Sequence, residues 1–288
     1  AYMPLAGRIW HYAFRLICAL VFLFLILPIL VIIPLSFNAE PYFTFTDAML
    51  RLDPEAFSLR WYQDVLNIGG GTGSNRGAEW GFATRNSVFI AFFATLLATS
   101  LGTLAAVGLS RSHMPFRGPI MALLISPMIV PIIITAAGMF FFYSKIGLAY
   151  SHLGVILAHT AIGTPFVVIT VTATLSGFDE SLTRASASLG AQPLYTFRRV
   201  IVPLILPGII SGALFAFITS FDEVVLIYFL ADAEQKTIPI QMWSGLQQQI
   251  SPSILAIATM LVTLSIFLLI VIEMLRRRSE RLRGIRAT

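Results

Sequence analysis

Runs of apolar residues, nearly free of charge, alternate along the chain with short polar stretches. Six such runs lie near 17–37, 87–109, 119–143, 153–175, 204–221 and 253–275, each 18 to 25 residues long. As helices, runs of that length cross a hydrocarbon core of about 30 Å. The pattern therefore predicts an all-α polytopic membrane protein with six transmembrane helices in a single domain spanning 1–288. The first run is too long and too densely apolar for the core of a cleaved signal peptide, and no small-residue cleavage site follows it. It reads as a retained anchor.

Within the runs, small residues fall at helical spacing. Ala94, Ala98, Gly102 and Ala106 recur every four residues in the second span, as do Gly208, Gly212, Ala216 and Ser220 in the fifth. In lipid, where no hydrophobic force drives helices together, such stripes let backbones approach closely. They predict helix packing inside the chain or a face against another subunit. Pro127, Pro131 and Pro165 interrupt the backbone donors of their spans. Such kinks are tolerated in protein interiors and along cavities.

Composition agrees: 57% of the 288 residues are hydrophobic and only 11% charged. Soluble domains carry about 25% charged residues, so an ordinary cytosolic enzyme, a disordered tail and a basic nucleic-acid binder are excluded. The net charge is +5, and its distribution matters more than its sum. The loops 1–16, 110–118, 176–203 and 276–288 hold 13 Lys and Arg in 66 positions, while 38–86, 144–152 and 222–252 hold 6 in 89. The basic set is expected in the cytoplasm, with both termini inside. Arg276, Arg277, Arg278, Arg281, Arg283 and Arg286 then read as a cytoplasmic anchor. Ten carboxylates (Glu40, Asp47, Asp53, Glu55, Asp64, Glu79, Asp222, Glu223, Asp232 and Glu234) fall on the opposite side. The single cysteine, Cys18, excludes an intrachain disulfide.

The outer loop 38–86 contains a stretch, 59–66, expected to form a short helix on the membrane surface, with Trp61 and Tyr62 at headgroup level. The glycine-rich run at 69–74 lacks the Lys-Ser/Thr ending of a phosphate loop and reads as a flexible linker. The basic loop 176–203 is richer. Ser176 and Asp179 have capping-box spacing, Leu182, Ala185 and Leu189 recur at helical spacing, and Gly190 with Pro193 signals a helix end. A second helical stretch, 194–202, carries Arg198 and Arg199 into the fifth span. The loop thus reads as a helix–turn–helix tethered at the membrane.

Here the residues resemble a family. Arg184-Ala185-Ser186, then Gly190, then Val200-Ile201-Val202-Pro203 is similar to the "EAA" loop of ABC importer permeases. Ala185, Gly190 and Pro203 stand at the matching offsets, Arg184 replaces the family Glu with reversed charge, and Ser186 replaces the second Ala. The segments 57–62 and 220–225, and His159 with Pro165-Phe166, resemble the spermidine/putrescine class, and within it the second permease of the pair. The resemblance implies a type I importer fold in the bacterial inner membrane that works by alternating access on a polyamine-like solute. The implied partners are a second permease, two cytoplasmic ATP-binding subunits that hold ATP and Mg, and a periplasmic substrate-binding protein. The chain itself would carry no cofactor. The 176–203 loop would couple to the ATPase through Leu182, Arg184, Ala185, Ser186, Leu189, Gly190, Ala191 and Pro193.

Candidate residues for a solute path are Met128, Pro131, His159, Asp222 and Glu223. The two carboxylates interrupt an apolar run at 200–231. Counted from Pro203, Asp222 stands about 28 Å along the helix, at the outer edge of the hydrocarbon. One of the pair would attract a cation or meet the binding protein, or else both cap a solvated helix end. His159 is an intramembrane ionisable residue, a functional candidate whose plainer role is a hydrogen bond to a neighbouring helix. No second ligand stands near it at metal-site spacing. An intramembrane protease lacks its nucleophile motif here. A secondary transporter or channel subunit is the alternative, but it predicts internal repeats and midplane charges that the chain does not show.

Overall fold

In a computed structural model of the chain, residues 5–66, 76–111, 114–179, 181–248 and 252–282 are described. The glycine run at 69–74, His113, Arg283 and Arg286 lie outside them, as do the side chains of the other tail arginines. The main helices are α1 (Leu5–Leu35), α2 (Arg76–Leu109), α3 (Arg117–Ile129), α4 (Ile132–Ile146), α5 (His152–Leu175), α6 (Ser181–Ser188), α7 (Pro193–Phe221), α8 (Val225–Leu230), α9 (Ile238–Gln248) and α10 (Ser253–Leu282). Among the described residues the only strand-like pairing is one bridge, Asn38 with Phe57.

Among the described residues four helices are long and apolar enough to cross a membrane: α1 over Ile9–Leu35, α2 over Glu79–Leu109, α5 and α7. The run expected as one span at 119–143 is instead two helices, α3 and α4, bent by 102°. The cause is local. Pro131 has no N–H and disfavours helical geometry at the residue before it. Val130 is accordingly extended (φ −71°, ψ 134°). At 13 and 15 residues, the halves reach only about 20 and 22 Å, less than the hydrocarbon thickness. In α10 the apolar stretch covers Ser253–Phe267. Helix boundaries also move: α1 starts before 17, and α2 starts eleven residues before 87.

The chain divides into two compact units. One combines 1–79 with 244–288. In it, α10 packs on α1 and on the short helix Arg60–Leu66. The segment that follows α1 is folded around Asn38, which is fully buried. Its side-chain amide donates to the carbonyls of Tyr42 and Thr44, and its carbonyl accepts from Trp61 Nε1 at 2.7 Å. Trp61 is therefore a buried anchor rather than a headgroup-level residue, because its indole N–H finds a protein acceptor. Tyr62 likewise turns inward, its hydroxyl bonded to Ser36.

The other unit, 80–243, is organised around α5, the most buried of the spans. Ala98, Gly102 and Ala106 of α2 lie against one side of it, and Gly208, Gly212 and Ala216 of α7 against another. A Cβ on Gly102 would stand 2.7 Å from Val167 Cβ, and one on Gly212 would stand 2.8 Å from Val167 Cα. One on Gly208 would collide with Thr174 Oγ1. Ala94 joins a second cluster with Ala136 and Tyr143 of α4, Val155 and Ile162 of α5, and Leu226 and Leu230 of α8. In lipid such seams are held by dispersion and interhelical hydrogen bonds, so their tightness is the stabilising term.

Candidate functional site

The most distinctive local structure is the hairpin between α5 and α7. Helix α6 starts at Ser181 because Asp179 accepts its N–H at 2.8 Å. Ser176 instead donates to the Ala173 carbonyl at the end of α5, so the expected Ser176–Asp179 capping box does not form. Hydrogen bonds from Ser181, and then the nearby Arg184 charge, hold the Asp179 carboxyl below its usual range. The helix ends as its glycine requires. Gly190 has φ +79°, its N–H donates to the Ala187 carbonyl, and the Ala191 N–H reaches back to Ser186. This bond pair is a Schellman turn.

Pro193 then opens α7, where its missing N–H costs nothing. Ser186 and Thr196 hydroxyls, 2.8 Å apart, tie the two arms together. Residues Phe197–Ile201 form a π-helical turn in which the Val202 N–H reaches Phe197. The ring of Pro203, which crowds the carbonyl four residues back, accounts for the widening. The second arm is thus one continuous helix with the span into which it was expected to run.

The hairpin encloses an open groove of about 740 Å³ lined by Leu182, Ala185, Ser186, Leu189, Tyr195 and others. Leu189 is 88% exposed, Tyr195 59% and Leu182 43%. An apolar concavity of this kind in water marks an interaction surface. Arg184 lies on the other side of α6, in a second groove with Arg111. Six of the eight coupling candidates, Leu182, Ala185, Ser186, Leu189, Gly190 and Ala191, therefore line one groove, while Pro193 opens α7 beside it and Arg184 turns away.

The five path candidates are not gathered into one site. Met128, half exposed, and Pro131 stand at the break between α3 and α4. His159 is buried, its Nδ1 2.8 Å from Ser220 Oγ across the α5–α7 seam. Its Nε2 has no protein partner. Glu223 caps α8, its Oε1 accepting from the Val225 and Leu226 N–H groups. Asp222, at the end of α7, is exposed. The two carboxylates that look equivalent in sequence are thus different: one is committed to the backbone and the other faces outward. Sequence reasoning passed over Thr95, Thr99 and Thr103, whose hydroxyl oxygens are buried without partners along α2. Their four-residue spacing beside the small-residue stripe was the available signal. Among the described residues no group of three His, Cys, Asp or Glu is placed to hold a metal.

Apolar spans packed through small residues, with a capped hairpin carried on their ends, define a multi-pass helical membrane protein. Residues 98–281 match the family described as the binding-protein-dependent transport system inner membrane component. The chain belongs to that family. It is 29% identical over 260 residues to the spermidine/putrescine transport system permease protein PotC of Haemophilus influenzae, covering 90% of this chain and 95% of that one. It is 30% identical over 267 residues to the putrescine transport system permease protein PotI of Escherichia coli, covering 90% and 88%. Among solved structures, a bacterial ABC transporter involved in import of the acidic polysaccharide alginate shares the fold, with TM-score 0.71, 16% identity and coverage of 95% and 98%. The chain is therefore an inner-membrane permease component of a binding-protein-dependent transport system.

Proposed function

We propose that this permease spans the inner membrane six times with both termini in the cytoplasm. It moves a small cationic or amine-containing solute inward by alternating access. The bend between α3 and α4 would make one broken span, and α10 the sixth. Loop charge supports the orientation, and the names of the polyamine relatives support the solute class. Its partners would be a second permease, two ATP-binding subunits carrying ATP and Mg, and a periplasmic binding protein that delivers the solute.

The observation that carries this reading is the exposed apolar groove of the hairpin, closed by Gly190 and joined without interruption to α7. The groove face of α6 (Leu182, Ala185, Ser186 and Leu189) would seat on the ATPase, so that movement there is passed to the span. Asp222 would receive the cation or the loaded binding protein. The test is co-expression of the tagged chain with the neighbouring transport genes. An ATPase and a second permease should co-purify, and Leu182→Asp with Leu189→Asp should abolish their ATPase coupling while the chain stays in the membrane. Full coupling in that variant, with the complex assembled, would overturn the reading.

A further inference from the structure

A second groove, about 280 Å³, lies where the spans end. Its apolar wall includes Val107 near the end of α2 and Leu175 at the end of α5. Its polar lining is Ser110, Arg111, Thr183 and Arg184, with no carboxylate among the described residues that line it. Arg111 follows α2 by two residues, and Arg184 projects from the side of α6 opposite Leu182, Ala185 and Leu189. Both arginines are exposed, and among the described residues a carboxylate that acts on Arg184 is Asp179, which also accepts from Ser181.

We infer that this groove holds the headgroup of an anionic phospholipid. Three features converge. The site stands at the end of apolar spans, where the hydrocarbon gives way to headgroups. It offers two guanidinium groups, which pair with phosphate through parallel N–H donors. It also continues into an apolar wall that an acyl chain can follow. Basic pockets between membrane helices take anionic headgroups for these reasons. Arg184, which reverses the charge of the family Glu, thus has a role directed at the bilayer. That role is independent of the hairpin's coupling face, so either assignment can fail without the other.

The test is native mass spectrometry of the full chain in mild detergent, titrated with phosphatidylglycerol, with phosphatidylcholine of the same acyl chains, and with inorganic phosphate. Phosphatidylglycerol should bind preferentially. Arg111→Gln and Arg184→Gln should each weaken it roughly fivefold, with the two losses multiplying in the double variant. Arg198→Gln with Arg199→Gln, basic residues of the same hairpin outside the groove, should change it less than twofold. Arg111→Lys with Arg184→Lys should restore part of the binding, which separates charge from folding. The inference is overturned if the double Gln variant binds like the parent, if phosphatidylcholine binds equally, or if millimolar phosphate displaces the lipid completely, which would assign the groove to a free anion.

Discussion

Glycine serves opposite purposes in the α5–α7 seam and in the hairpin below it. At Gly208 and Gly212 the backbone is ordinary helix, and what matters is the missing side chain: any Cβ would run into Thr174, Thr170 or Val167. At Gly190 nothing lies within 4 Å of where a Cβ would be, and what matters is φ +79°. The seam is limited by space and the hairpin by conformation. A region built by exclusion resists change, whereas a region built by a turn leaves its surface free for a partner.

The sharpest way to break this contrast is Gly212→Leu. It should cost about 3 kcal/mol by overpacking against the Val167 backbone, seen as loss of folded chain in membranes and a lower Tm in detergent. Gly190→Leu, the same substitution in the hairpin, should cost only on the order of 1–2 kcal/mol for a left-handed non-glycine residue. The chain should stay in the membrane but lose transport-coupled ATP hydrolysis, and Gly190→Asn should recover most of it because Asn tolerates that φ. If both glycine variants lowered abundance equally, the contrast would be wrong.

A smaller effect comes from Ser220→Ala, which removes the bond to His159. Interhelical hydrogen bonds in membranes average about 0.6 kcal/mol, so a double-mutant cycle with His159→Ala should return a coupling of that order. The smallest effect is at Asp179. Its folded carboxyl is held below the ordinary value, so its contribution is full above that value and is lost as pH falls through the folded one, in the acidic range near and below about 4. Hydrogen-exchange protection at Ser181–Ser188, taken relative to the intrinsic rate at each pH, should fall there, and Asp179→Ala should remove that pH step.

How far the sequence carried depended on which forces were local. The end of α5 at Leu175 and the turn at Gly190 follow from apolar run length and from glycine followed by proline. The break at Val130 was half visible, since Pro131 marks a lost donor but not a 102° change of direction. The extra turns of α2 before 87 carry Arg76, Glu79, Arg85 and Asn86 among apolar residues, so a count of uncharged apolar runs omits them. Ser176 and Asp179 compete for one helix start, and only geometry shows that Asp179 takes it. Asp222 and Glu223 were indistinguishable as adjacent acids, because what separates them is which backbone N–H groups point their way. Arg111 drew no attention, since its partner in the groove lies some seventy residues further along the chain.

The continuity of Pro193–Phe221 has a mechanical consequence. At 29 residues it is a rod of about 43 Å, with the hairpin at one end and Asp222 at the other. Its two glycines sit so close against α5 that it has little room to slide there, so a push on the hairpin would turn it as a lever with the seam as fulcrum. With the fulcrum between Gly208 and Gly212, about 18 Å from Asp222, a tilt of about 5° would swing that carboxylate by about 1.6 Å, enough to make or break one hydrogen bond.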